Sequence, residues 1–250
     1  MKKTWRVVAS VTLIALLIIG FLKFTGEEIG YRIKSYLNAN KDYKEQRVMN
    51  QPEVPGYQLL ASNAARGVYV YGKKLDSAQY FNQILVKTKT SQKQFNWNAT
   101  ARSPVLTFAD VTGSGEENIV IIFITAYGTG LLKSDVHVVN MSLTREIPVD
   151  DPVTAAQRLI TSRVEGQEIV FKAGGKEYRV KPIVGAGGIQ GEYKNLEYGN
   201  VVTYRVEGNK LIATVGVQTN PFAFLGEFTL VYSYRGGRLV PQVINFKKFD

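Results

Sequence analysis

The chain has 250 residues, is 45% hydrophobic, and carries a formal net charge of +10 with no cysteine. That length and apolar content suit one larger or two smaller packed domains rather than a disordered chain. The missing cysteine excludes disulfides, thiol nucleophiles, zinc–thiolate centres and iron–sulfur ligation together.

Lys2, Lys3 and Arg6 precede an uninterrupted apolar run at residues 7–22. As a helix at about 1.5 Å per residue this run spans about 24 Å, short of the roughly 30 Å hydrocarbon core of a bilayer. Arg6 and Lys23 can snorkel, and Trp5 and Phe24 suit the interface, so residues 5–24 reach the required length. A cleaved signal peptide needs small residues at alternate positions, and Lys23-Phe24-Thr25-Gly26-Glu27-Glu28 offers none. The pattern therefore favours an uncleaved anchor over a cleaved signal. A lipoprotein needs a cysteine to acylate. The positive flank on the short side favours a cytoplasmic tail and an extracytoplasmic C-terminal portion.

The expected organisation follows from there: tail and anchor at 1–26, stalk or linker at 27–56, a β domain at 57–149, a linking helix at 150–164, and C-terminal antiparallel hairpins at 165–250. Ile29, Ile33, Tyr36 and Leu37 recur at helical spacing in the stalk. Pro52 and Pro55 then oppose regular structure. Residues 67–71 and 83–89 are rich in β-branched or aromatic side chains and predict strands. Residues 118–125 form a nearly continuous apolar run, as in a strand buried on both faces. Residues 135–140 alternate.

One outer helix is expected. Asp150-Asp151-Pro152 supplies a cap and a proline at the first helical position, and Val153, Gln157 and Ile160 carry the helix to about Thr161. Beyond it, Gly174-Gly175, Glu207-Gly208-Asn209 and Gly236-Gly237 each separate two alternating runs, a strong hairpin signal. Gly185-Ala186-Gly187-Gly188 leads into Ile189-Gln190, without the lysine and hydroxyl a phosphate loop needs. The fold class expected is mainly β: antiparallel sheets, blade-like or sandwich, with an N-terminal transmembrane helix and one short linking helix.

The segment with chemistry in it is Asp110-Val111-Thr112-Gly113-Ser114-Gly115-Glu116-Glu117-Asn118. A short loop wraps a hard cation when oxygen-bearing groups alternate and glycines permit the turn. Asp110, Thr112, Ser114, the backbone carbonyl of Glu116, and Asn118 provide that series. With Thr107-Phe108-Ala109 before it and Ile119-Val120-Ile121-Ile122 after it, the segment resembles the calcium loop of FG-GAP and VCBS-type repeats, the blades of integrin-like β-propellers. Tyr127-Gly128-Thr129-Gly130 and Asp135-Val136-His137-Val138 extend the likeness to bacterial membrane-anchored proteins of that type, over residues 104–140. The resemblance implies metal ligation by Asp110, Thr112, Ser114, Glu116 and Asn118. Only Asp110 brings formal charge, and affinity falls with ligand charge count. A metal-free turn held by side-chain hydrogen bonds is favoured over weak Ca²⁺ binding.

The other candidates are sparse. His137 is the only histidine and sits in an alternating strand, which suits a hydrogen-bonded structural role. Asp150 and Asp151 are accounted for by capping. The tyrosines and Trp97 suit a carbohydrate or peptide groove, or equally a β-rich core. No basic cluster with interleaved aromatics points to nucleic acid. The expectation is a membrane-anchored, extracytoplasmic binding or scaffold protein, non-catalytic, with the membrane and anionic envelope polymers or another envelope protein as partners. The alternative is an envelope-associated hydrolase of glycans or peptides using carboxylates such as Glu165, Glu168 or Glu192.

Overall fold

The structure is a computed structural model that describes residues 53–73, 80–181, 196–220 and 223–249. The expected membrane span, the stalk up to residue 52, the glycine-rich 185–188 stretch and Glu192 lie outside the described residues. Among the described residues, no helix is long and apolar enough to cross a membrane.

The chain opens with β1 (Tyr57–Asn63), β2 (Val68–Lys73), β3 (Tyr80–Phe81), β4 (Ile84–Lys87), β5 (Gln92–Phe95) and β6 (Ala99–Thr100). Four of these form an antiparallel sheet in the order β1-β2-β4-β5, while β3 and β6 pair as a separate two-stranded ribbon. The strand expected at 83–89 stops at Lys87, because Thr88 turns the chain. Its hydroxyl oxygen accepts from the Ser91 N–H at 3.0 Å, and its own N–H donates to the Ser91 carbonyl at 2.7 Å.

Next come β7 (Val105–Ala109), β8 (Asn118–Gly128), β9 (Leu131–Asn140) and the short β10 (Glu146–Ile147). After α1 (Pro152–Leu159) follow β11 (Ser162–Glu165), β12 (Glu168–Ala173), β13 (Lys176–Val180), β14 (Glu197–Glu207), β15 (Lys210–Asn220), β16 (Ala223–Arg235) and β17 (Arg238–Lys248). A large sheet runs β17-β16-β15-β14-β9-β8-β7, with β10 added beside β9. Its pairings are antiparallel except one: β14 lies parallel to β9, with Val201 opposite Leu132. The two expected β regions thus share one sheet. The mainly β, antiparallel class with one short helix is what the sequence pattern predicted.

The apolar run of β8 now has its physical reason. Side chains on a strand alternate between faces. Ile119, Ile121 and Phe123 enter one core with Leu60, Val70, Ile84, Val86 and Trp97 of the N-terminal strands. Val120 and Ile122 enter a second core with Phe171, Leu211, Val215, Phe228 and Leu230. Both faces of β8 are covered over residues 119–124, so neither can be polar there.

The helix starts where its cap predicts. The Asp151 carboxylate accepts from the Thr154 N–H at 2.6 Å, and Pro152 follows as the first helical residue. Its end comes earlier than Thr161. Ile160 is buried and extended, its N–H donating to the Ala156 carbonyl, and β11 begins at Ser162 inside the segment expected to be helical. Burying Ile160 in the second core ends the helix. The segment ahead of α1 is strapped to β17: the Leu239 N–H donates to the Pro148 carbonyl at 2.8 Å, and Tyr232 donates to the Asp150 carbonyl at 2.8 Å.

Candidate functional site

The loop between β7 and β8 is closed by its own hydrogen bonds. Asp110 Oδ1 accepts from the Ser114 N–H at 3.0 Å and from the Thr112 hydroxyl at 3.0 Å, while Oδ2 accepts from the Gly115 N–H at 2.7 Å. Gly113 and Gly115 adopt φ values of +72° and +86°, which side chains rarely take. The Asp110 N–H donates to Asn209 Oδ1 at 3.2 Å, tying the loop to the β14–β15 turn. Asp110, Thr112 and Ser114 are therefore brought together. Glu116 stays exposed, its N–H 3.3 Å from Ser114 Oγ, and Glu117 pairs with Arg66 outside the loop. Asn118 is buried on β8, and its Oδ1 has no hydrogen-bond partner.

The residues fit a cation poorly in this arrangement. Both Asp110 oxygens already face N–H donors, whose positive ends oppose a second positive charge. Among the described residues, no three His, Cys, Asp or Glu side chains group in a way that could hold a metal ion. The orphan Asn118 oxygen is the one feature that a cation or a water would satisfy.

Partial desolvation opposes ionisation of Asp110, but hydrogen bonds from Gly115, Ser114, Thr112 and Gly113 outweigh it and hold the carboxyl below the usual range. A lowered folded-state value means the contribution is complete above the ordinary carboxylate range and disappears as pH falls through the lowered value. The Ser114 and Gly115 amides are expected to be protected relative to their intrinsic exchange rate at neutral pH and to lose that protection in acid. In Asp110→Ala the protection is expected to be absent at every pH. Equal exchange in the variant and the native chain at neutral pH would contradict this account of the loop.

The remaining candidates occupy structural positions. His137 Nδ1 lies 3.0 Å from Glu146 Oε1, and its ring stacks on Trp97 with centroids 4.0 Å apart. Trp97 is itself buried between His137 and Phe95, so it belongs to the first core and not to a groove. Glu165 accepts from Arg163 Nε at 2.6 Å and Arg179 Nη1 at 2.7 Å. The hydrogen bond from Arg163, then that from Arg179, keeps the Glu165 carboxyl ionised and below its ordinary range. A general acid needs the opposite shift. Glu168 lies 3.9 Å from Arg179 in the same exposed group.

A cleft of about 440 Å³ opens elsewhere, lined by Tyr80, Phe81, Asn82, Asn98, Ala99 and Thr125. Its construction follows from strand alternation. On β3, Phe81 points into the first core, where its ring packs so closely on Gly72 that a Cβ there would sit 2.6 Å from it. Tyr80, one residue earlier, must then face outward, and it is 58% exposed. Phe81 pairs with Ala99 and Tyr80 with Thr100, and Asn82 and Asn98, adjoining the Phe81–Ala99 pair, both line the cleft. The Thr100 hydroxyl donates to the Ile124 carbonyl at 2.8 Å and fixes the ribbon against β8.

Thr125 completes the cleft from a β-bulge. The β8–β9 register shifts between Ile124 and Ala126, leaving Thr125 as the extra residue. Bulges re-aim a side chain in this way. Its hydroxyl donates to the Lys133 carbonyl at 3.2 Å, which leaves lone pairs free to accept. Sequence reasoning passed over Tyr80, Asn82, Asn98 and Thr125. The only available signal was Tyr80-Phe81-Asn82, an exposed–buried–exposed triplet too short to stand out.

Comparisons with protein-family models, curated proteins and solved structures return no match for this chain.

Proposed function

We propose that this chain is a membrane-anchored, extracytoplasmic binding protein of the bacterial envelope, non-catalytic, with residues 1–26 as its tether and the β-rich portion as its head. The observation that carries the binding reading is the cleft: six residues line it, and none bears a charge at neutral pH. A hydrolase working through paired carboxylates needs two acids facing one cavity about 5–10 Å apart. Glu165 and Glu168 instead sit beside arginines at the β11–β12 turn of the small β11–β13 sheet. The loop at Asp110 serves as a metal-free turn that joins β7 to β8 and touches the β14–β15 hairpin.

The address is tested with the full chain expressed in bacteria. External protease is expected to digest the head in cells stripped of their wall, and alkaline washing is expected to leave the protein in the membrane. Protection of the head, or release on washing, overturns the reading. For the loop, millimolar Ca²⁺ is expected to leave the exchange of the Ser114 and Gly115 amides unchanged. Altered exchange would show the ion displacing them from Asp110.

A further inference from the structure

We infer that the cleft at Tyr80, Asn82, Asn98 and Thr125 is a subsite for an uncharged pyranose chain, with Tyr80 as the stacking platform. The inference rests on the proposed binding function and gives it a ligand class. Four features of the cleft converge on that chemistry.

Tyr80 presents an aromatic ring at the rim that the core does not use. An exposed aromatic face suits the C–H-bearing face of a sugar ring, a flat apolar surface that carries hydroxyls at its edge. Asn82 and Asn98, which adjoin the paired ends of β3 and β6 and line the cleft, each offer an amide that both donates and accepts. Such pairs match a hydroxyl, or an acetamido group, which also donates and accepts. Thr125 has its proton committed to Lys133, so it accepts from a ligand hydroxyl. The six lining residues carry no formal charge, so they offer an ionic ligand leaving water no counter-charge of their own.

The surroundings allow for more than one sugar ring. Tyr127, two residues beyond Thr125 on β8, is a second exposed ring, and the Arg102 guanidinium stacks over it at 4.5 Å. Arg102 follows β6 by two residues, so this stack bridges the same two elements that build the cleft. The cavity volume falls within the range of small-ligand sites, roughly 300–1,000 Å³.

The test uses the full chain in detergent micelles and two uncharged probes, tri-N-acetylchitotriose and maltotriose, followed by saturation-transfer NMR and calorimetry. At least one trisaccharide is expected to bind with a Kd of about 0.1–1 mM. Tyr80→Ala is expected to weaken it at least tenfold, and Asn82→Ala and Asn98→Ala several-fold each. Raising NaCl from about 0.05 to 0.5 M is expected to leave the affinity unchanged, as screening acts only between charges. Tyr80 is exposed, so its variant keeps the fold, which circular dichroism checks directly.

Neither sugar binding at about 10 mM overturns the proposal, as does native affinity in Tyr80→Ala. Binding of these neutral probes that collapses with salt would mean that charged groups and not the uncharged wall hold the sugar, and that too overturns it. The address experiment above fails or succeeds independently. An extracytoplasmic head that binds neither sugar leaves the binding-protein reading standing and removes only the glycan.

Discussion

Phe228→Ala is expected to lower the stability of the head by about 3–5 kcal/mol, the range for removing a fully buried phenylalanine ring from a packed core. Phe228 is fully buried on β16, where its ring meets Phe171 edge-on at 5.6 Å, Phe246 at 5.2 Å and Tyr198 at 5.8 Å. Phe171 and Phe246 also pack on each other and on Tyr178, so neither can swing into the space without leaving another ring. The more informative expectation concerns the other core. Trp97 lies on the far side of β8, stacked between Phe95 and His137. The chain has two tryptophans, so in a Trp5→Phe background Trp97 is the only one.

Its fluorescence midpoint in urea is expected to shift together with the far-ultraviolet circular dichroism midpoint when Phe228 is truncated. The reason is β8, whose Ile119, Ile121 and Phe123 serve one core while Val120 and Ile122 serve the other. Opening either core bares one apolar face of β8 over residues 119–124. A Trp97 midpoint that stays in place while the dichroism moves would mean that the cores unfold separately.

Local chemistry was legible in the sequence, and long-range pairing was not. The turns at Gly174-Gly175, Gly208-Asn209 and Gly236-Gly237 could be named in advance, because their glycines take positive φ angles that other residues avoid. The Asp151 cap could be named because an acid followed by proline has few other uses. The parallel β9–β14 contact had no signal: it joins Leu132 to Val201 across four intervening strands and a helix, and nothing in either run specifies its neighbour.

The site divides the same way. Asp110, Thr112 and Ser114 were legible because their partners are a few residues away. Asn82 and Asn98 were not, since only the pairing of β3 with β6 brings them to one cleft. Trp97 was open to two uses by residue type. Its neighbours Phe95 and His137 decide for the core, and the exposed Tyr80 takes the position at the cleft.

Gly174→Ala is expected to be far more costly than Gly175→Ala, although both occupy the same two-residue turn between β12 and β13. Gly174 has φ +56° and Gly175 has φ +78°, so an alanine at either position bears the left-handed penalty of roughly 1–2 kcal/mol. Their surroundings differ. A Cβ on Gly175 meets nothing within 4 Å, whereas one on Gly174 overlaps the Ile244 carbonyl oxygen and lies 2.7 Å from its carbon.

That carbonyl belongs to the backbone of β17 at a bulge, where the β16 pairing skips from Val243 to Asn245. It cannot yield as a flexible side chain would, so overpacking adds about 1–3 kcal/mol more. The strain has one outlet, which is for the β11–β13 sheet to lift from β17. Lifting breaks the contacts of Phe171 and Tyr178 with Phe246, at 4.9 and 5.2 Å, and the Tyr178 hydroxyl bond to Asn245.

Amide exchange across residues 162–180 is expected to accelerate in Gly174→Ala and to stay near native in Gly175→Ala. The cleft draws on β3, β6 and β8, on the side of the first core, so sugar affinity in the folded fraction is expected to be the same in both variants. Equal destabilisation by the two alanines would mean that the turn angle alone sets the need for glycine and that the approach to Ile244 carries no energy.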